Sequence, residues 1–155
     1  APVDTNAAAN AVNENAAIWT VVGITANASD ADATTNTVTY SLFDNDGGNF
    51  TIDANSGVVT TAVAFNRETH GPTRTIVVRA TSADGSTNDT SFTVNINDVD
   101  EFDVSAPVDT NAASNAVNEN AAIGTVVGIT ANASDADATT NAVTYSLFDD
   151  DGGNF

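Results

Sequence analysis

Apolar and polar residues alternate along much of the first hundred residues with the period of two that is typical of half-buried β-strands. In the segment VTYSLF, Val38, Tyr40 and Leu42 fall on one face, and Thr39 and Ser41 fall on the other. The segments RTIVVRA (74–80) and SFTVNIN (91–97) show the same alternation. The pattern therefore predicts an antiparallel sheet protein with one apolar face on each strand.

Turn residues divide these runs into short strands. FTIDANSGVVTT (50–61) predicts two strands joined by a turn at Asn55-Ser56-Gly57, and no segment carries an apolar stripe at helical spacing. We predict an all-β, seven-stranded Greek-key β-sandwich. The predicted strands are 10–14, 18–28, 37–43, 49–53, 57–62, 74–82 and 88–98.

The chain contains a long internal repeat. Residues 106–155 repeat residues 1–50 with four differences, Ala9/Ser114, Trp19/Gly124, Thr37/Ala142 and Asn45/Asp150. A repeat of 105 residues has the length of a whole domain, not of a solenoid turn. We therefore expect tandem sandwich repeats: a complete one at 1–105, with a linker at 98–105, and the first half of a second at 106–155. The absence of methionine also suggests a processed or excised piece.

The charge of the chain excludes several classes of protein. Three arginines stand against 21 Asp and Glu residues, which gives a net charge of −18. Such a chain lacks the basic patch that nucleic acids and anionic membrane surfaces require, and no apolar run is long enough to insert into a membrane. With no cysteine, a single histidine (His70) and no catalytic motif, we expect a protein that is not an enzyme.

Many of the acidic residues fall in short clusters at the ends of predicted strands. Close carboxylates repel one another unless a cation neutralises them, and hard oxygen donors without nearby His or Cys favour calcium over zinc or copper. A solvated acidic surface is the alternative. The clustered residues are Glu14, Asp30, Asp32, Glu68, Asp84, Asp98, Asp100, Glu101 and Asp103.

Five motifs in order resemble the cadherin repeat, of the kind strung together in large bacterial surface adhesins. They are VNENAAIGTVV, similar to the opening segment with its ligand Glu; ASDADATTNAVTYSL; the hairpin FTIDANSGVVTT; FNRE, similar to L-D-R-E; and the linker INDVDEFDVSAPV, similar to D-x-N-D-N-x-P. The sequence departs from the family at Asn66, which replaces the first Asp of D-R-E, and at Ser82, where the family has an Asp.

The resemblance implies calcium bound between successive repeats. By motif position, the ligands at the junction inside this chain would be Glu14, Glu68, Asp98, the Val99 carbonyl, Asp100, Glu101, Asp135, Asp137 and the backbone near Asn141. The equivalent residues Asp30, Asp32 and Asn36, assisted by Asp84, would serve a preceding repeat and bind calcium weakly here.

The implied function is that of a calcium-rigidified extender segment in an extracellular adhesin or surface filament at the cell surface. Its partners would be neighbouring repeats of the same chain and, in a filament, other copies of the chain. A carbohydrate- or protein-binding module is the alternative, and it would need an aromatic platform built from Trp19 with Tyr40 or Phe43. A third alternative is an accessory domain of a hydrolase.

Three local features have two interpretations each. Asp44-Asn45-Asp46-Gly47 resembles the start of a calcium loop, but the closing Glu is missing, so a turn is favoured. Arg67 is expected to form an ion pair with neighbouring acids, with ligand recognition as the alternative. Trp19 is expected to be exposed, because the other copy has Gly124 at this position.

The half-repeat 106–155 lacks the counterparts of residues 51–98. Three strands alone would leave Val143, Tyr145 and Leu147 facing water, at a cost of about 1.5–3 kcal/mol for each side chain left unburied. We therefore expect order in 106–155 only where other protein supplies the remaining strands.

Overall fold

The computed structural model describes all 155 residues. Residues 1–99 form eight strands and one helical turn. The chain divides into two compact units, Ala1–Val99 and Asp100–Phe155. The elements of the first unit are β1 (Val3–Asp4), β2 (Ala11–Asn13), β3 (Val21–Asn27), β4 (Val38–Asp44), β5 (Phe50–Ile52), β6 (Val58–Thr61), α1 (Arg67–His70), β7 (Thr73–Ser82) and β8 (Thr87–Asn97).

The strands of the first unit form a β-sandwich of two four-stranded sheets, in the orders β1-β3-β6-β5 and β2-β8-β7-β4. Strand β2 runs parallel to β8, with Val12 opposite Ile96, and the other pairs are antiparallel. The long β7–β8 ladder runs from Thr73 opposite Asn95 to Thr81 opposite Thr87. The all-β sandwich predicted from the alternation is thus confirmed.

The core of the first unit is built from the inward faces that the alternation predicts. Ile76 and Val78 on β7 are fully buried, and Ala80 is nearly so. Fully burying a side chain such as Ile or Phe stabilises the fold by about 1.5–3 kcal/mol. The other buried members of the core include Val12, Val22, Ile24, Tyr40, Phe50, Val59, Phe65, Val94 and Ile96.

Two short elements escape the hydrophobic pattern. Strand β1 has two residues and pairs with the end of β3, and α1 has a single turn. The Asn66 side chain accepts the amide of Thr69 at the start of α1, and Gly71 ends it with a φ of 80°. A four-residue helix shows no helical period, so capping residues alone could have predicted it.

Strand β3 carries an irregularity that a glycine makes possible. Its pairing with β6 shifts between Val21 and Thr25, and Gly23 between them has a φ of 82°. A Cβ at Gly23 would lie 2.1 Å from the carbonyl oxygen of Ala9. Glycine is therefore required both by the backbone conformation and by the close approach of the preceding segment.

The second unit forms one short ladder, between β9 (Val108–Asp109) and β10 (Ala131–Asn132). Its register equals that of β1 and β3, shifted by the length of the repeat. Of the ladders in the first unit, β1–β3 alone has both strands within the first fifty residues. The expected three strands therefore do not form, because their ladder partners lie in the second half of a repeat.

The apolar face of the second unit is open. Tyr145 and Leu147 are 51% and 66% exposed, and Val143 is half-buried. In the first unit, β4 has β7 as its ladder partner, whereas residues 143–149 form no strand. Tyr145 and Leu147 therefore face water as expected for three strands alone, whereas Val143 does so only in part.

Candidate metal-binding sites

Glu14 follows β2 and is the most deeply buried acidic side chain of the first unit, with 2% of its surface exposed. Its carboxylate accepts the backbone amide of Arg67 at 2.6 Å and that of Val99 at 2.8 Å. Burial alone would raise the pKa of Glu14, but these two donors, together with hydrogen bonds that involve Glu68 and Asp98, hold the pKa below its usual value. The residue is thus kept as a carboxylate.

Two further carboxylates lie beside Glu14, and Glu14, Glu68 and Asp98 are called the first acidic group. One carboxylate oxygen of Glu68 lies within 4.8 Å of one from Glu14 and of one from Asp98. Arg67 approaches Asp98 with its Nε 3.5 Å from Oδ1 and donates to the carbonyl oxygen of Ile96. The ion pair predicted for Arg67 is present, and it offsets one of the three negative charges.

A second acidic group, Asp100, Asp135 and Asp137, lies in the second unit. Asp137 is 2% exposed, and its Oδ2 accepts the amides of Glu101 and Phe102, each at 3.2 Å. The other oxygen, Oδ1, is buried and has no hydrogen-bond partner. The amide of Asp137 donates to Asp135 Oδ1 at 3.1 Å, which fixes the D-x-D segment as a turn.

The carboxyl groups of Asp100 and Asp137 influence each other's ionisation. A hydrogen bond with Asp137, together with desolvation and nearby negative charge, raises the pKa of Asp100. For Asp137 burial acts in the raising direction, but the amide of Phe102 and the other donors lower the pKa overall. Two carboxyl groups this close repel each other when both are ionised, so a cation bound between them would stabilise the pair.

A third acidic group consists of Asp30, Asp32 and Asp84, with one oxygen of each within 4.8 Å of the others. Asp30 accepts the amide of Asp32 at 3.0 Å, and Asp84 accepts that of Ser86 at 2.8 Å, a bond that lowers the pKa of Asp84. The imperfect motif match therefore still places Asp84 beside Asp30 and Asp32.

The remaining candidates contribute backbone or loop positions. Ser82, which stands where the family has Asp, is buried and donates its hydroxyl to the carbonyl oxygen of Thr35 at 2.9 Å. Val99 and Glu101 donate their amides to the buried carboxylates of Glu14 and Asp137. Asn36 and Asn141 are exposed loop residues. Motifs of side chains cannot predict the hydrogen bonds that the backbone amides of Val99 and Glu101 donate.

The acidic turn after β4 has a partner that the sequence did not suggest. Asp46 accepts Nε and Nη2 of Arg74 at 2.6 and 2.7 Å, and it also accepts Nδ2 of Asn49 at 2.9 Å. Its carboxylate is thus satisfied by protein donors. The interpretation as a turn agrees with this geometry, while the calcium-loop interpretation has no support from it.

The aromatic residues do not form a shared platform. Tyr40 is buried, and its Oη accepts the amide of Ala28 at 2.9 Å. Phe43 is exposed, but the guanidinium of Arg79 lies 4.1 Å from its ring centroid. Trp19 is 64% exposed, as predicted, and has a φ of 71°, a conformation that favours the glycine found in the other copy.

The donor chemistry of the acidic groups fits calcium. Each group offers three carboxylates, which are the hard ligands that calcium prefers, and His70, the single histidine, belongs to none of them. The buried Asp137 Oδ1, which lacks a hydrogen-bond donor, is the strongest individual feature, because an uncompensated buried carboxylate oxygen is costly. No helix of the structure combines the length and apolar character needed to cross a membrane.

Comparison with known proteins agrees with the sandwich and with the motifs. The chain is similar to mouse cadherin-23 EC22-24, with 26% identity and a TM-score of 0.65, over 88% of this chain and 44% of that structure. It also resembles in fold the protocadherin gammaB4 extracellular domain (24% identity, TM-score 0.68, 89% and 24% covered) and protocadherin gammaB2 cadherin domains 3-6 (23%, 0.70, 89% and 35%).

The chain therefore spans less than half the length of these solved structures. No curated protein matches it. The family model for the Cadherin domain matches residues 9–97, which is more than half of the chain. Cadherin domains are extracellular modules of a non-enzymatic adhesion fold. With this match and the sandwich of the first unit, the chain belongs to the cadherin domain family.

Proposed function

We propose that this chain is a calcium-rigidified extender segment of an extracellular adhesin or surface filament. The observation that carries the proposal is the buried Asp137 carboxylate, whose Oδ1 has no donor and whose neighbour Asp100 has a raised pKa. A protein that did not bind cations at this position would gain stability by replacing one of the two acids.

The first and second acidic groups would both supply ligands to the bound calcium ion. Asp98 and Asp100 are two residues apart in the chain, so the backbone keeps their Cα atoms within about 7 Å whatever its conformation. Glu14 and Glu68 would supply oxygens from the first unit, and Asp135 and Asp137 from the second. Bound calcium would supply positive charge that offsets carboxylate repulsion and cross-links the two groups, and neighbouring repeats would then be fixed as a rod.

The near-identity of the two copies supports a spacer more than a recognition module. Forty-six of the first fifty residues recur unchanged, and the four substitutions are all at exposed positions. A ligand-binding surface would also need more than Trp19, since Tyr40 is buried and the guanidinium of Arg79 lies over the ring of the exposed Phe43.

Calcium removal from the 155-residue chain tests the proposal. We expect calcium to raise the melting temperature and to lengthen the particle seen by small-angle X-ray scattering, and EGTA to reverse both changes. At a free calcium concentration of about 100 times Kd, each independent site adds about 2.7 kcal/mol to the free energy of unfolding.

The matched variants are Asp100→Asn and Asp149→Asn, which remove the same charge from the same unit. Asp149 lies outside the acidic groups and is exposed. Asp100→Asn should reduce the calcium-dependent rise in melting temperature, whereas Asp149→Asn should leave it unchanged. If EGTA alters neither the melting temperature nor the scattering length of the unmodified chain, the proposal is wrong.

A further inference from the structure

Arg67 is the one arginine that lies at the first acidic group. We propose that Arg67 is an internal counter-ion of this group, which holds Asp98 in place before calcium binds and lowers the affinity of the group for calcium. This inference rests on the proposed function, because it concerns the same ion. It adds a residue that sets how tightly the ion is held.

The other two arginines are engaged elsewhere in the first unit. Arg74 makes a bidentate pair with Asp46, and Arg79 makes one with Asp89. The chain has no lysine. Arg67 is therefore the basic side chain that can offset the charge of the first acidic group.

Two hydrogen bonds fix Arg67 beside the carboxylates. Its backbone amide donates to Glu14 Oε2 at 2.6 Å, and its Nη1 donates to the carbonyl oxygen of Ile96 near the end of β8. Its Nε lies 3.5 Å from Asp98 Oδ1, and the two side chains are 22% and 12% exposed. Because both the backbone and the guanidinium are held, the positive charge cannot leave Asp98 without breaking a hydrogen bond.

In the absence of calcium, this charge stabilises the first acidic group. The carboxylates of Glu14, Glu68 and Asp98 repel one another, and the repulsion is greatest where water is excluded. A guanidinium beside Asp98 reduces this repulsion, and salt screens partly buried charges less than exposed ones. The Asp98 side chain is thereby held in the position seen in the structure.

The same charge opposes the binding of calcium. A cation that enters the group is attracted by three carboxylates and repelled by one guanidinium. In water-like surroundings at physiological salt, repulsion between a monovalent and a divalent cation about 5 Å apart weakens binding by roughly 5- to 30-fold. Arg67 therefore trades calcium affinity for stability of the calcium-free state.

Asn66 leaves this balance of charge unchanged. It precedes Arg67, is neutral, and uses its Oδ1 to accept the amide of Thr69 at 2.9 Å, which caps α1. Three carboxylates and one guanidinium give the first acidic group and Arg67 together a charge of −2. The single positive charge thus offsets a third of the negative charge.

Two substitutions in the 155-residue chain separate the charge of Arg67 from its packing. Arg67→Gln removes the charge but keeps the backbone amide that donates to Glu14. Arg67→Lys keeps the charge but loses the planar fork. The matched control is Arg79→Gln, since its partner Asp89 lies eight residues before Asn97, about 27 Å along β8.

Calcium affinity and calcium-free stability are measured separately. The NMR signal of the Val99 amide reports calcium at this group, because that amide donates to Glu14. The melting temperature in EGTA reports the calcium-free state.

We expect Arg67→Gln to lower the melting temperature in EGTA by about 4–8 °C, which is the shift that the loss of one such interaction causes in a domain of about 100 residues. The same variant should bind calcium roughly 5- to 30-fold more tightly. Arg67→Lys should bind calcium within about threefold of the unmodified chain, and Arg79→Gln should leave the affinity unchanged. A purely structural role would instead make Arg67→Gln bind calcium more weakly.

The outcomes distinguish this inference from the proposed function. If Arg67→Gln binds calcium as the unmodified chain does or more weakly, or if Arg67→Lys or Arg79→Gln tightens binding as much as Arg67→Gln, the inference is wrong and the proposed function stands. If the Val99 amide of the unmodified chain does not respond to calcium, both are wrong at this group.

Discussion

Each of the three arginines of this acidic chain has an acidic partner. Arg74 makes a bidentate pair with Asp46, Arg79 makes one with Asp89, and Arg67 lies beside Asp98. The remaining carboxylates depend on other donors. Backbone amides serve several of them, since Asp4, Asp30, Asp44, Asp84, Asp109, Asp135 and Asp149 each accept the amide of the residue two positions ahead.

The Asp46–Arg74 pair should contribute measurably to stability at neutral pH. Burial acts to raise the pKa of Asp46, but hydrogen bonds from Arg74 and Asn49 lower it overall. A group with a lowered folded-state pKa stabilises the fold above its unfolded value, near 3.9, and the contribution is lost as the pH falls through the folded value. We expect Asp46→Asn to lower the free energy of unfolding by about 1–3 kcal/mol at pH 7, and by progressively less below about pH 4.

The counterpart of Asp46 provides the control, because Asp151 has the same left-handed backbone but is exposed. Asn tolerates this conformation as well as Asp does, so neither substitution introduces strain. Asp151→Asn should leave the denaturant midpoint unchanged. Equal effects of Asp46→Asn and Asp151→Asn in denaturant titrations at pH 7 would show that the ion pair does not stabilise the fold.

What the sequence predicts at this scale depends on how local the cause is. The exposure of Trp19 follows from its replacement by Gly124, whereas Arg67 pairs with Asp98, which lies 31 positions away in the chain. The Asp46–Arg74 pair joins residues that are 28 positions apart, and no local pattern indicates it. The amides of Val99 and Glu101 act through the backbone, which side-chain motifs do not reveal.

Period-two alternation locates the seven longer strands because each has one face in the core. Strands β2 to β8 fall within or beside the predicted segments, whereas β1 has two residues and cannot display a period. The alternation within single strands also cannot predict that β2 pairs in parallel with β8, because this pairing joins residues more than 80 positions apart.

The irregularity in β3 should be sensitive to any side chain at Gly23. Gly23→Ala would place a Cβ 2.1 Å from the carbonyl oxygen of Ala9, where a backbone atom cannot move aside easily. Gly47→Ala is the control, since Gly47 also has positive φ but nothing lies within 4 Å of a Cβ built there. We expect Gly47→Ala to cost about 1–2 kcal/mol, and Gly23→Ala about 1–3 kcal/mol more. Equal midpoints for the two variants in urea unfolding would contradict the close approach.

The two units of the chain show what half of a sandwich sequence can specify. Residues 106–155 reproduce the local turns and the β9–β10 ladder of their counterparts, but they form no other strands. The remaining ladders of the first unit each require a strand from residues 51–98. Sequence alone therefore predicts turns and candidate faces in the half-repeat, whereas its sheets depend on a partner that local pattern cannot provide.

This difference should be visible in hydrogen exchange of the two copies of one sequence. Residues 38–44 form β4 against β7, while the counterpart residues 143–149 form no ladder in the structure. Amides that donate within a core ladder open only through large unfolding events, so we expect those of 143–149 to exchange at least about 100-fold faster than those of 38–44. The amides of Thr5 and Thr110, which donate to Thr25 and Thr130 in both copies, give the internal reference for the ladder that the halves share. Strong protection of residues 143–147 in a dilute monomer would mean that their apolar face is covered in solution, and the open half-repeat described here would then be wrong.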